Sequence, residues 1–334
     1  MKNLFGSRKL RILGIVAVII IVLAIGSTFY NARMKQQSVI RIGYQPFWSG
    51  EANIVAAMRN EKLLEKRGYQ PVYVAFLAGP PINEALISGD LDMGLGGDMP
   101  TISLMATDFP VKIIASPVKS LRQAIVVDRE KADAILDVKD LVGKKVAVAQ
   151  GSCSHYFLYK VLRLAGVDPK SVDIINMDVK AQPPALMTHR VDAVVNWEPW
   201  PTKLEMSGIG KILVEGSFSG FLSVREDFAD KNPQAVQAVA DSLQEALVYS
   251  QKNFNQTCEW VCGETKDNIT AIYRAAKTDR IFNLGENIKP DSESLRDLEE
   301  KAKFMFDQGL IQKIPNIYEK VDLTFAERAV GSVT

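Results

Sequence analysis

The residues best equipped for chemistry stand in the run Gln150-Gly151-Ser152-Cys153-Ser154-His155. There the strand-like 145–149 (KVAVA) enters a glycine-serine turn, and a helix runs from it to about Ala165 and Gly166. Free N–H groups at a helix start, the hydroxyls of Ser152 and Ser154, and the positive end of the helix dipole suit an anion or a polar oxygen. No Gly-Lys-Ser/Thr follows the turn, so it is not a nucleotide-binding loop of the Walker type. Cys153 and His155 form the one arrangement that resembles a nucleophile with its base. No third, orienting group accompanies them, and packing or hydrogen-bonding duties account for both. The other histidine, His189, lies in neither a Gly-x-Ser-x-Gly nor a His-Glu-x-x-His setting. Cys153, Cys258 and Cys262 make neither a disulfide framework nor a zinc site. Cys258 and Cys262, four apart in CEWVC, read as two packed thiols, with a local disulfide as the alternative in an oxidising compartment. The sequence therefore points to no catalytic residue, no metal and no cofactor.

Two acids, Asp98 and Glu198, occupy equivalent places in a repeat. Residues 85–100 (ALISGDLDMGLGGDMP) align without a gap on 185–200 (ALMTHRVDAVVNWEPW), matching Ala85 with Ala185, Leu86 with Leu186 and Asp92 with Asp192. The turn Asp98-Met99-Pro100 matches Glu198-Pro199-Trp200. Each copy reads as a short helix, a strand (91–95, 191–195) buried on both faces of a parallel sheet, and a turn. Ligands of open α/β sheets bind outside the carboxyl ends of the strands, so both turns are candidate walls of one cleft. Asp98 is placed as an N-cap with Pro100 in the first helical turn, and facing the cleft is its second possible role. Trp197 either walls the ligand or fills the core. No lysine or arginine accompanies these motifs. Carboxylates of Asp98 and Glu198 facing the cleft would repel a bare anion and attract an ammonium. The expectation is a zwitterionic ligand, or carboxylates turned away.

The elements that would position these groups follow from periodicity and punctuation. Strands are expected at 39–43, 72–76, 111–115, 124–127, 145–149, 174–177, 211–214 and 221–224, and a helix at 53–66 closed by Gly68. Helical spacing covers 235–254, 269–276 and 292–308. The turn Leu77-Ala78-Gly79-Pro80-Pro81 combines a glycine that admits close backbone approach with prolines that start a helix.

With 334 residues and 47% apolar content the chain can bury two cores. Its formal charge of +1 conceals an asymmetry, because Lys2, Arg8, Lys9, Arg11, Arg33 and Lys35 all precede residue 39 and no acid does. The remainder carries 34 bases against 39 acids, a balance that argues against nucleic acid as a partner. The basic residues flank an apolar run, 12–26, extendable to residue 30. Residues 1–38 therefore read as a signal peptide or an N-terminal membrane anchor, with the body on the extracytoplasmic side. Ala24-Ile25-Gly26 offers a cleavage site, whereas residues 12–30 approach the span of a bilayer, and both outcomes stay open. No cysteine suited to lipid attachment follows the run.

An ordered set of motifs resembles one family. It comprises IGYQ (42–45), AGPP (78–81), SGDLDMG with GGDMP, DLVGKKVAVAQGSCSHY (140–156), VDAVVNWEP (191–199) and VREDFADKNP (224–233). Together these are similar to the solute-binding proteins of ABC importers for nitrate, sulfonates and taurine, over about residues 39–240. The resemblance implies an α/β, two-lobed periplasmic-binding-protein-like fold (type II), each lobe a mixed, mostly parallel sheet with flanking helices. Lobe 1 would comprise 39–124 plus 218–334 and lobe 2 residues 125–217, closing on a ligand about a hinge. It implies a small polar or anionic ligand held by Gln45, Phe47, Gly79, Gly97, Asp98, Met99, Ser152, Cys153, Ser154, His155, Trp197 and Glu198. The implied partners are an ABC permease and ATPase, with the membrane reached through the N-terminal segment. His189 stands where relatives usually have glycine, and Cys153 where a small polar residue is usual. The resemblance extends to pyrimidine-precursor-binding proteins and to an enzyme branch making the thiamine pyrimidine, whose cysteine-rich iron motif is absent here. A membrane-tethered sensor domain is a further alternative, although only eleven residues precede the apolar run.

Overall fold

The computed structural model describes residues 39–333, and eight of its strands join one mixed sheet. In chain order these are β1 (Val39–Tyr44), β2 (Gln70–Ala75), β3 (Met93–Gly97), β4 (Val111–Asp128), β5 (Lys145–Val148), β6 (Asp173–Asn176), β7 (Ala193–Trp197) and β8 (Gly210–Arg225). The helices that bear on the site are α1 (Glu51–Asn60), α2 (Gly79–Ser88), α3 (Asp98–Met105), α4 (Cys153–Leu164), α5 (Gln182–Met187), α6 (Trp200–Met206), α7 (Pro233–Lys252), α8 (Phe254–Thr265), α9 (Ile269–Ala276) and α10 (Ser292–Asp307).

The two repeated stretches fold as one unit made twice, α2-β3-α3 and α5-β7-α6. The likeness reaches single hydrogen bonds. Asp92 N–H donates to the Arg41 carbonyl at 3.0 Å, and Arg41 N–H returns a bond to Asp92 Oδ2 at 2.8 Å. Asp192 N–H donates to the Lys145 carbonyl at 2.8 Å, and Lys145 N–H returns a bond to Asp192 Oδ2 at 2.7 Å. Each aspartate thus ties the start of its strand to the parallel neighbour, β1 or β5. Arg41 and Lys131 balance the two charges. All five residues of β3 and of β7 are buried, as strands covered on both faces should be.

The sheet order β2-β1-β3-β8-β4-β7-β5-β6 reads alike from either edge: a parallel triplet, then a long antiparallel strand. The halves meet where β4, of 18 residues, pairs with β8, of 16. Here the sequence expectation of four short strands (111–115, 124–127, 211–214, 221–224) is corrected, because each pair is one continuous strand. Pro117, Lys119, Ser120 and Arg122 break the apolar alternation between the expected pieces of β4. The backbone pairs through them with register shifts between Ile113 and Leu121 and with Ser120 at φ 63°.

The expected helix at 53–66 divides into α1 and the short Leu63–Lys66, with Lys62 between them at φ 52°. The expected helix at 235–254 ends at Lys252, where Asn253 separates α7 from α8. His189 sits at φ 56°, the left-handed region where glycine is the natural occupant. Its Nδ1 lies 2.6 Å from Asp128 Oδ2.

α1 and α7 cover one half of the sheet, packing Ile54, Val55, Met58, Val239 and Leu243 on Ile40 and Ile42. In the other half the alternation of β7 divides between two clusters, Ala193 and Val195 facing one and Val194 the other. A further cluster draws Met99, Cys153, Tyr156, Trp197, Phe218 and Trp48 together from both repeat units. The expected targeting or anchoring segment, residues 1–38, lies outside the described residues. Among those described, no helix is long and apolar enough to cross a membrane.

Candidate ligand-binding site

The turns that follow β1, β2, β3 and β5 converge with the end of β7 on a cavity of about 80 Å³. It is lined by Gln45 and Trp48, by Ala78, Gly79 and Pro80, by Gly97 and Pro100, by Ala149, Gln150, Ser152 and Cys153, and by Trp197 and Phe218. Three helices start there: α2 at Gly79, α3 after its N-cap Gly97, and α4 after its N-cap Ser152. Close packing demands glycine at one of these starts and favours it at a second. A Cβ on Gly79 would come 2.5 Å from Pro100 Cγ, and one on Gly97 would come 3.1 Å from Cys153 Sγ.

Buried polar groups fix the walls. Glu51 Oε1 accepts from Gln45 N–H at 2.6 Å, and burial pushes the Glu51 carboxyl well above the usual carboxylate range. Ser152 Oγ donates to the Ala149 carbonyl at 2.6 Å and accepts from His155 N–H at 3.4 Å. Trp48 stacks on Phe218, with ring centroids 5.4 Å apart at 15°. Its buried Nε1–H has no hydrogen-bond partner among the described residues.

Of the twelve residues singled out from the sequence, Gln45, Gly79, Gly97, Ser152, Cys153 and Trp197 line this cavity. Phe47 lines a narrow adjoining gap together with Leu77, Val179, Lys180 and Trp200, and Lys180 Nζ lies 4.5 Å from the Phe47 ring centroid. The other five stand behind the walls. Met99 is fully buried in the apolar cluster. Ser154 Oγ donates to Gln123 Oε1 at 3.3 Å. His155 Nδ1 accepts from Gly151 N–H at 3.3 Å while its ring packs edge-on against Tyr159.

Asp98 and Glu198 are spent on internal cations. Asp98 accepts from Met99 N–H at 2.7 Å and is paired with Lys301 of α10, which also meets Asp297. Glu198 accepts from Arg122 Nε at 2.5 Å, Thr202 Oγ1 at 3.0 Å and Thr202 N–H at 3.3 Å. Burial raises both carboxyls above their ordinary values, with Lys301 and Arg122 opposing the shift. Burial alone would lower Lys301, but Asp98 and Asp297 more than reverse it and hold the ammonium protonated. Neither carboxylate lines the cavity, so the expectation that they attract an ammonium is corrected to the alternative, carboxylates turned away. Lys301 and Arg122 escaped the sequence reading because 203 and 76 residues separate them from their partners.

Cys153 and His155 do not form a nucleophile and base. Burial, and then the Asp98 carboxylate, push the Cys153 thiol well above its ordinary value, and burial lowers His155. No hydrogen bond joins the two side chains. A larger crevice of about 440 Å³ lies beyond Phe218 and Tyr156, between α4 and α10. Its wall mixes Lys160, Arg280, Arg296 and Lys301 with Glu215, Asp291, Glu293, Asp297 and Glu300. Several of these already pair with each other. The smaller cavity is the candidate site, because the turn of the first repeat unit and the strand end of the second meet there.

The chain is also similar to known proteins. The model of the NMT1-like family matches residues 33–261. A putative aliphatic sulfonates-binding protein of Bacillus subtilis (strain 168) is 30% identical over 329 residues, 95% of each chain. A protein of the same description from Escherichia coli (strain K12) is 32% identical over 230 residues, 66% of this chain and 69% of that one. The alkanesulfonate-binding protein of Xanthomonas axonopodis pv. citri, solved bound to MOPS, superposes with a TM-score of 0.76 at 22% identity, covering 86% of this chain and 99% of that one.

Proposed function

Because the chain belongs to the NMT1-like family, we propose that it is an extracytoplasmic solute-binding protein, not an enzyme, that takes up a small organic sulfonate and passes it to the permease and ATPase of an ABC importer. One observation carries the ligand class: three helix N-termini meet at a cavity none of whose lining residues is charged. Each N-terminus favours an anion by about 0.3–1 kcal/mol when exposed and up to about 2 kcal/mol when partly buried. Uncharged groups therefore meet the headgroup; Pro80, Pro81 and Pro100 carry no N–H, and the unpartnered Trp48 indole N–H is a ready donor.

Size sets a further limit. A cavity of about 80 Å³ is well below the roughly 300–1,000 Å³ of a site for a drug-sized ligand, which suits a headgroup. The tail then runs into the gap beside Phe47 and Trp200, whose wall is largely apolar. An ammonium-bearing tail finds no carboxylate among the residues lining either space.

The lobes in this reading are 39–124 with 218–334, and 125–217, closing about the paired β4 and β8, whose register shifts cluster near the boundary. Residues 1–38 carry the body across the cytoplasmic membrane; either residues 1–26 are cleaved or residues 12–30 stay as an anchor. Thermal-shift titration with alkanesulfonates, taurine, nitrate and sulfate tests the ligand class. The reading expects the largest stabilisation from short alkanesulfonates, since ligand at about 100 times its dissociation constant adds roughly 2.7 kcal/mol. Stabilisation by nitrate or sulfate alone would overturn it.

A further inference from the structure

Both repeat units place an acid in the turn beside the cavity, and each acid meets a cation from outside its own unit: Arg122 of β4 for Glu198, and Lys301 of α10 for Asp98. We infer that Lys301 is the counter-charge that allows the Gly97–Cys153 wall to accept an anion, a positioning role that sets ligand charge specificity. The inference rests on the anionic-ligand reading above.

Asp98 follows the lining residue Gly97, and its carboxylate acts on the Cys153 thiol, which also lines the cavity. One side chain therefore separates an acid from the ligand. Left alone in so buried a place, that acid would oppose every anion the helix N-termini attract. Lys301 cancels it from behind. Its side chain is 2% exposed, it bonds Asp98 and Asp297, and its Nζ lies 5.3 Å from the Tyr156 ring centroid. An ordinary structural tie between α10 and α3 would be satisfied by any well-packed pair of similar volume. A counter-charge is not replaceable in that way. The two roles are separated by whether ligand binding depends on the ionisation of Asp98.

The experiment measures, on the full chain, the affinity of 1-butanesulfonate and of its uncharged analogue butyl methyl sulfone, from about pH 5.5 to about pH 9.5. The wild type should prefer the sulfonate at every pH. In Lys301→Met, sulfonate affinity should fall about tenfold as pH rises through the titration of the uncompensated Asp98, while sulfone affinity stays level. Adding Asp98→Asn to that variant should remove the pH dependence. Asp98→Asn alone, which keeps Lys301, should bind the sulfonate more tightly than the wild type, and this arm decides the matter if Lys301→Met does not fold. A flat Lys301→Met profile at wild-type affinity, or Asp98→Asn with unchanged or weaker sulfonate binding, overturns the inference. A wild type that binds the sulfone as tightly as the sulfonate instead overturns the anionic-ligand reading itself.

Discussion

At Trp48 one ring does two things: it packs on Phe218, and it holds an indole N–H that nothing among the described residues accepts. A buried unpaired donor costs about 1–3 kcal/mol, so a ligand oxygen that accepts it recovers part of that cost. Trp48→Phe keeps the stack and removes the donor. Titration calorimetry should show sulfonate affinity about 5- to 30-fold lower, with the ligand-free protein as stable as before or more so. The family resemblance implied the neighbouring Phe47 instead, and the two adjacent aromatics in the turn of β1 do not show by sequence which faces the cavity. Asp279 supplies a second test at this scale. Its Oδ1 accepts from Lys119 N–H at 3.0 Å and Ile281 N–H at 2.9 Å, and burial pushes its carboxyl up to about 8 from 3.8. Between those values the unfolded chain has lost the proton and the folded chain keeps it. The contribution of this group to stability is therefore greatest at low pH, declines as pH rises through the window, and levels off above it. Asp279→Asn preserves both accepted bonds and removes the titration. Melting temperatures across pH should show the variant gaining on the wild type as pH rises from about 4 to about 8; parallel curves would contradict the assignment.

At the scale of elements, what could be read from the chain was local. The repeat was visible because helix, strand and turn each carry their own pattern, and Asp92 and Asp192 make matching bonds to β1 and β5. The long central strands were not visible, because Pro117, Lys119 and Ser120 interrupt alternation while irregular pairing with β8 still satisfies the backbone. The two cations that neutralise the cleft turns come from distant segments, and no periodicity reports them. α6 carries a further tie of this kind: Lys203 Nζ lies 2.6 Å from Asp267 Oδ1, which follows α8, and 4.3 Å from the Trp200 ring centroid. In the proposed division into lobes this pair joins one lobe to the other. Partly exposed pairs contribute about 0.2–1 kcal/mol, so Lys203→Met should weaken ligand binding by up to about fivefold, mainly through faster release. Stopped-flow dissociation rates unchanged in the variant would remove the pair from the closing motion.

For the whole molecule, the fold repeats itself in its sheet and in the acids of its turns. Two like halves bring their turns to one cavity, each turn carries an acid, and each acid is neutralised before it can meet a ligand. What lines the cavity is uncharged, with tryptophan, proline and phenylalanine prominent in it, and Lys180 stands in the adjoining gap. That composition selects an anion with an apolar tail over a zwitterion. Calorimetric titration with 1-butanesulfonate and with taurine measures the selection directly. The account predicts that butanesulfonate binds at least about tenfold more tightly, a difference of about 1.4 kcal/mol. Taurine binding as tightly as butanesulfonate, or more tightly, would contradict it.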